Sequence, residues 1–398
     1  MAQAFAWDDR TESELSAPFE TKAEEIRLFG HSTHGDGQQV RMRPIEGVHV
    51  DEILEEGLLR GASDVHIHCG LPPVFRVDGS LVRSDYEPLD ARTIQRLVYD
   101  ILTGEQVGRL EAERELDLSY SMGDRCRFRV NVFRQKGSYQ AAFRVVPSEI
   151  PDMDELRLPP VLRKLTQTTS GLIMVTGPTG SGKSTTIAAM IDHINQNRSV
   201  HIITLEDPIE YLHRDKRAMV TQRELHSDTD SFHNALRAIL REDPDVILVG
   251  EMRDLETISA ALTLAETGHL VFATLHTRNA AQTVDRIVDV FPPHQQEQIR
   301  VQLSNTLEAV ISQLLLPMRE GGRVVAVEVL VATSGIRNLI REGKTHQIGT
   351  AIETGTNLGM QPMDRSLAEL ATLDMISLQQ AKLHATDPEN LERYLGER

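Results

Sequence analysis

Cysteine is scarce in this chain: its 398 residues include two, Cys69 and Cys126. Two thiols so far apart in sequence cannot build a disulfide framework or a four-thiolate zinc site. They indicate a reducing compartment. Aromatic residues make up only 4%, so the cores must be largely aliphatic. No stretch approaches the ~20 apolar residues of a spanning helix. The segment from Met1 to Trp7, followed by Asp8 and Asp9, lacks the basic flank and apolar run of a secretory signal. The expected location is cytoplasmic, with no direct membrane insertion. Basic residues are outnumbered, 42 Lys and Arg against 59 Asp and Glu, for a net charge of −17. That balance argues against a dedicated nucleic-acid binder, whose affinity rests on clustered cations.

What is present is enough hydrophobic sequence, 40%, to bury real cores. The length fits two or three domains. Residues 1–46 are rich in Asp and Glu and sustain no helical or strand period, so an acidic, disordered extension is expected. Residues 47–146 read as a small α+β domain. Val50, Ile53, Leu54, Leu58 and Leu59 share one helical face, 62–68 alternate as a strand, and 125–132 with 138–146 read as a hairpin turning at Lys136-Gly137. Pro147, Pro151, Pro159 and Pro160 mark a linker over 147–160. Residues 161–345 have α/β texture, with short apolar strands at 172–176, 200–205, 246–249 and 270–275 separated by helical stretches. This predicts a largely parallel sheet. After Ala280 the chain reads as mainly helical apart from a strand at 323–330, and 346–398 as a helical C-terminal region.

Gly177-Pro178-Thr179-Gly180-Ser181-Gly182-Lys183-Ser184 matches the phosphate-binding pattern G-x-x-x-x-G-K-[ST]. It follows an apolar strand and opens a helix beginning at Thr185. Glycines let backbone N–H groups turn inward around phosphate oxygens, and the helix N-terminus adds partial positive charge. Lys183 would reach the β and γ phosphates of ATP, and Ser184 would ligate Mg²⁺.

Hydrolysis also needs an acid. Glu251 follows the buried run Val246-Ile247-Leu248-Val249, at the strand end where α/β sites collect. Glu206 and Asp207 follow a second apolar strand. Three carboxylates near one metal and one water leave their roles open. Glu206 is favoured for aligning or deprotonating water, and Glu251 for the metal and water network, so Ser184, Glu206 and Glu251 form the expected metal set. Glu210 reads as solvated or structural. His269 and His276 bracket the strand at 270–275. A zinc pair lacks partner spacing, which leaves a γ-phosphate sensor or two structural histidines. Asp64, His66 and His68 fall on one strand face and read as a polar surface rather than a ligand set.

The segments GPTGSGKST at 177–185, ITLEDPIEY at 203–211, REDPDVILVGEMRDLET at 241–257 and ETGHLVFATLHT at 266–277 resemble the Walker A, Asp-box, Walker B and His-box elements of the secretion-superfamily motor ATPases. ASDVHIH at 62–68, RFRVNVFRQ at 127–135, GIRNLIREGK at 335–344 and LGMQPMD at 358–364 are similar to the branch that retracts type IV pili. The likeness runs from about residue 48 to 385. It implies a PAS-like α+β N-terminal domain followed by a RecA-like P-loop ATPase domain with C-terminal helices, assembled as a homohexamer. It implies that Arg129 and Arg144 complete the nucleotide site on domain closure. It also ties GIRNLIREGK to productive retraction rather than to nucleotide binding. Implied partners are the inner-membrane pilus platform protein and an accessory retraction ATPase, at the base of the pilus machine. The rivals are an accessory retraction paralogue and an assembly or type II secretion ATPase. Those last relatives commonly carry a four-cysteine insertion, which two cysteines exclude. A RecA-like nucleic-acid translocase is the reading from another class, and the net charge weighs against it.

Overall fold

The structure is a computed structural model that describes residues 42–396 apart from 78, 124 and 148. The extension expected at 1–46 lies, up to residue 41, outside the described residues.

The first unit opens with α1 (Val50–Leu59), capped by a reciprocal pair in which His49 accepts from Asp51 N and Glu52 accepts from His49 N. It continues through β1 (Ala62–Ile67), β2 (Val74–Val77), β3 (Ser80–Arg83), α2 (Ala91–Tyr99), α3 (Gly104–Glu113), β4 (Glu115–Met122), β5 (Cys126–Gln135) and β6 (Ser138–Val146). The strands form one antiparallel sheet in the order β3-β2-β1-β6-β5-β4. Period-two alternation sends Val65, Ile67, Phe128, Val130, Phe143 and their neighbours into a core with the helices. Ile45 joins that core ahead of α1. The other face carries Asp64, Arg127, Arg129 and Arg144, with Arg129 and Arg144 directly opposed across β5 and β6.

The second unit runs α4 (Val161–Leu165), β7 (Gly171–Thr176), α5 (Lys183–Asn197), β8 (His201–Glu206), β9 (Met219–Glu224), α6 (Phe232–Ile239), β10 (Val246–Val249), α7 (Leu255–Glu266), β11 (Leu270–Leu275), α8 (Ala280–Asp289), α9 (Pro293–Thr306), β12 (Leu307–Pro317) and β13 (Arg323–Val331). Its sheet has the order β13-β12-β7-β11-β10-β8-β9, parallel except for β13. Strands β7, β10 and β11 are buried along their whole length, as a sheet covered on both faces requires. Alternate residues feed two cores: Leu172, Met174, Val249 and Ala273 face α6–α9, while Ile173, Val175, Leu248 and Phe272 face α4 and α5.

The sheet holds two strands beyond those expected. β12 was expected to be helical but lies as a strand between β7 and β13. β9 extends the far edge beside β8. Beyond β13 come α10 (Ser334–Arg341), α11 (Ile348–Thr354), α12 (Met363–Thr372), α13 (Leu378–His384) and α14 (Pro388–Gly396). The last three pack with the outer ends of β12 and β13 around Leu316, Val324, Ala326 and Leu367.

Candidate active site

Parallel register aligns the exits of four strands. Thr176 pairs with Leu275, Ala273 with Val249, and Val249 with Leu205. Residues 177, 276, 250–251 and 206 therefore emerge side by side at one edge of the sheet, the edge where ligands bind in open α/β folds.

The loop after β7 is shaped by close approach. A Cβ on Gly177 would sit 2.4 Å from the Gln313 carbonyl oxygen and 2.7 Å from Ser181 Oγ, and its φ is +139°. No L side chain fits there without displacing backbone. Helices α6, α7 and α8 begin with Ser231, Asp254 and Asn279 accepting from their first-turn N–H groups. Helix α5 begins at Gly182 with no side-chain cap. Its leading N–H groups are left for an outside acceptor, the arrangement that binds anions. Ser181 is buried and its hydroxyl has no partner among the described residues. Lys183 Nζ donates to the Gly177 and Pro178 carbonyls at 2.9 and 3.1 Å. Burial lowers its pKa while the charges of Glu251 and Glu210 oppose that shift. The Thr185 hydroxyl meets the Tyr211 hydroxyl at 3.0 Å. Below the loop, Gln313 donates to Thr186 at 2.7 Å, and Thr176 donates to Ser312 at 3.0 Å.

The two carboxylates occupy different surroundings. Glu251 Oε1 lies 3.1 Å from His276 Nε2, and Arg253 donates to Glu251 Oε2 at 2.8 Å. His276 Nδ1 is 3.5 Å from Lys183 Nζ. Lys183, His276, Glu251 and Arg253 thus form one polar chain across the strand exits. Its contacts assign the imidazole an Nε2–H tautomer. The Arg253 guanidinium, with help from His276, holds the Glu251 carboxyl below its ordinary range. Glu206 faces the other way, toward β9. It accepts from Thr204 Oγ1 at 2.7 Å, Gln222 Nε2 at 3.2 Å and Glu210 N at 3.4 Å. The residue as a whole is half-buried, yet its carboxyl is crowded enough that burial pushes its pKa up to about 7. Gly250 permits this neighbourhood: a Cβ there would lie 3.0 Å from the Leu205 carbonyl oxygen and 3.3 Å from Glu206 Cα.

His269 is not part of this edge. It precedes β11 and, seven residues away at ~3.3 Å per residue, lies about 23 Å from His276. It closes the α7–β11 turn through Leu264 O at 3.0 Å and Thr267 Oγ1 at 3.1 Å. The two histidines cannot share a metal ion within one chain, nor can His269 sense a phosphate in its own loop. Arg129 is exposed and makes no side-chain hydrogen bond or ion pair among the described residues. Arg144 Nε donates to Asp64 Oδ1 at 2.9 Å. His68 lies past the end of β1 with Nδ1 2.8 Å from the Cys69 carbonyl oxygen.

Sequence reasoning gave no role to Arg253, Tyr211 or Gln222. Tyr211 and Arg253 lie inside the segments 203–211 and 241–257, which was the available signal, whereas Gln222 lies outside every quoted segment and carries none. The donor set suits Mg²⁺ held mainly by phosphate and water: the Ser184 hydroxyl at the start of α5, with Glu251 joined to the adjacent Lys183 through His276. Among the described residues, no cluster of three or more His, Cys, Asp or Glu side chains could hold a metal alone.

The sequence profile described as "Type II/IV secretion system protein" matches residues 38–320. The chain is 50% identical over 341 residues to the Type IV pilus retractation ATPase PilT of Pseudomonas aeruginosa, covering 86% of this chain and 99% of the relative. It is 48% identical to a twitching motility protein of Neisseria gonorrhoeae, covering 80% and 86%. A crystal structure of the pilus retraction motor PilT with bound ADP superposes with a TM-score of 0.82 at 49% identity, over 87% of this chain and 99% of that one. Its likeness carries the α/β architecture from the N-terminal sheet through the P-loop unit to the C-terminal helices. The chain belongs to the type II/IV secretion system protein family, together with its pilus retraction ATPases.

Proposed function

We propose that this chain is the ATPase motor that retracts type IV pili and so drives twitching motility. The observation that carries the reading is identity of 50% across 99% of a relative named for that activity, together with an unbroken P-loop edge. Residues 177–185 cradle the triphosphate, and Lys183 leaves its own loop carbonyls to meet the β and γ phosphates. Mg²⁺ beside Ser184 would neutralise charge building on those phosphates. Glu206, near neutral pKa, takes the proton of the attacking water. Glu251 stays ionised and, through His276, orders the γ-phosphate side of the crevice. Arg129 and Arg144 arrive when the N-terminal sheet closes, neutralising the transition state. His269 keeps a structural role in its own subunit.

The working assembly is a homohexamer, which leaves the exposed arginine face of each N-terminal sheet available for closure. Among the described residues no helix is long and apolar enough to cross a membrane. We place the ring in the cytoplasm against the inner-membrane platform protein of the pilus, alone or with an accessory retraction ATPase. Replacing the chromosomal gene by Lys183→Ala should give surplus pili and no twitching, and the purified variant should lose turnover. Bald cells would overturn retraction in favour of assembly, and wild-type turnover would overturn the P-loop assignment.

A further inference from the structure

We infer that Glu224 is a positioning residue that ties the orientation of the N-terminal sheet to the loop carrying Glu206. The inference rests on the assignment of Glu206 as the base. Glu224 ends β9 and is 3% exposed. Its carboxylate gathers groups from three places. From the N-terminal sheet, Ser119 Oγ donates to Oε1, and Arg127 Nη2 pairs with Oε2 at 3.1 Å. From the segment after Glu206, Ile209 N donates to Oε2 at 3.0 Å. From its own turn, Ser227 Oγ donates to Oε1 at 3.2 Å. Among the described residues, the side-chain hydrogen bonds and ion pairs joining residues 42–146 to residues 161–396 converge on this one carboxylate.

Its location makes the convergence consequential. Glu224 is the direct register partner of Glu206 across β8 and β9. Two successive backbone donors are divided between them: Ile209 N goes to Glu224 and Glu210 N to Glu206. Moving Ser119 and Arg127 away would leave a buried carboxylate short of two donors. It would then be free to turn, and its hold on Ile209 would change. The neighbouring Glu210 N–H would shift against Glu206. Domain rotation would thereby reach the base through one side chain, with no hydrogen bond or ion pair among the described residues from the N-terminal sheet to Glu206 itself. Arg127 fits this part better than Arg129 or Arg144, because among the described residues it alone of the three makes an ion pair with the ATPase unit.

The test uses full-length protein, ATP turnover, ADP affinity and a thermal melt for Arg127→Ala, Glu224→Gln, the double variant, Ser119→Ala, Arg125→Ala and Glu206→Gln. Arg127→Ala and Glu224→Gln should each lower kcat on the order of tenfold, with the dissociation constant for ADP within about threefold of wild type. The double variant should be no worse than the poorer single one by more than about twofold, as expected for groups acting through one contact. Ser119→Ala should show the same direction more weakly, which guards against misfolding of the charged variants. Arg125→Ala, a surface pair with Glu55, should match wild type. Unchanged kcat in Arg127→Ala and Glu224→Gln, with Glu206→Gln inactive, would overturn the clasp alone. Turnover retained by Glu206→Gln would instead overturn the base assignment beneath it. Multiplicative losses in the double variant, or losses confined to ADP affinity, would also overturn the clasp.

Discussion

At the scale of single residues, the site works by pulling two similar carboxyl groups apart. Glu251 is surrounded by Arg253 and His276 and remains charged through the physiological range. Glu206 is crowded by Thr204, Gln222 and its own strand, and titrates near 7. A base must be ionised to act, so kcat should fall as pH drops through about 7, by roughly tenfold per unit well below it. In Glu206→Gln that limb should vanish along with turnover, and steady-state rates from pH 5.5 to 8.5 would decide it. The sign for stability is opposite. The folded protein binds this proton more tightly than the unfolded chain, so Glu206 stabilises the fold least once pH has risen through 7. Glu206→Gln should therefore gain thermal stability relative to wild type between pH 5 and 8. The pattern G-x-x-x-x-G-K-[ST] made Gly177 and Lys183 legible in sequence. The inequality of the two glutamates was not, because it depends on which side chains meet each carboxyl: Gln222 from a neighbouring strand for Glu206, and Arg253 folded back on Glu251.

At the scale of elements, α10 shows how much a motif can hide. Arg337, within GIRNLIREGK, donates to the Ala332, Ser304 and Asn305 carbonyls at 3.0, 2.9 and 2.8 Å and to Glu308 at 2.7 Å. It closes the C-terminal turn of α9 and pins it to the start of β12, so it is a fastener rather than a free surface charge. Arg337→Ala should cost about 2–3 kcal/mol in urea unfolding, because it strands several carbonyls at once, while nucleotide affinity stays unchanged. Lysine cannot reproduce the planar fork and should recover only part of the loss. Strand β12 shows the opposite case. Its run Leu314-Leu315-Leu316 has no alternation to separate strand from helix, and only its place between β7 and β13 decides the matter. Glu328, paired across from Ser312 and accepting from Ala280 N at 2.8 Å, titrates near 7 for the same reason of burial.

At the scale of the whole molecule, the side-chain hydrogen bonds and ion pairs that join the two units among the described residues run through Glu224 alone, and the arginines assigned to closure are exposed. Such an arrangement is built for relative motion rather than for a fixed seam. Arg129→Ala should lower kcat by on the order of 10²-fold or more while leaving ADP affinity within about threefold, the signature of a group engaged in the transition state. Parallel turnover and calorimetric titrations check this, and a loss carried mainly by affinity would remove Arg129 from that role.

Residue types at short spacing carry the local chemistry: a phosphate loop between strand and helix, acids at strand exits, aliphatic cores and too few cysteines for a four-cysteine metal insertion. These depend on residue type at fixed short spacing, which the chain carries with it. Tertiary structure alone decided which residues share a space. Parallel register put His276 beside the loop and left His269 a full strand length away. Strand β9, with little hydrophobic signal of its own, brought Gln222 against Glu206 and set Glu224 under the N-terminal sheet. Register and strand order are properties of pairings across long stretches of chain, and no local spacing encodes them.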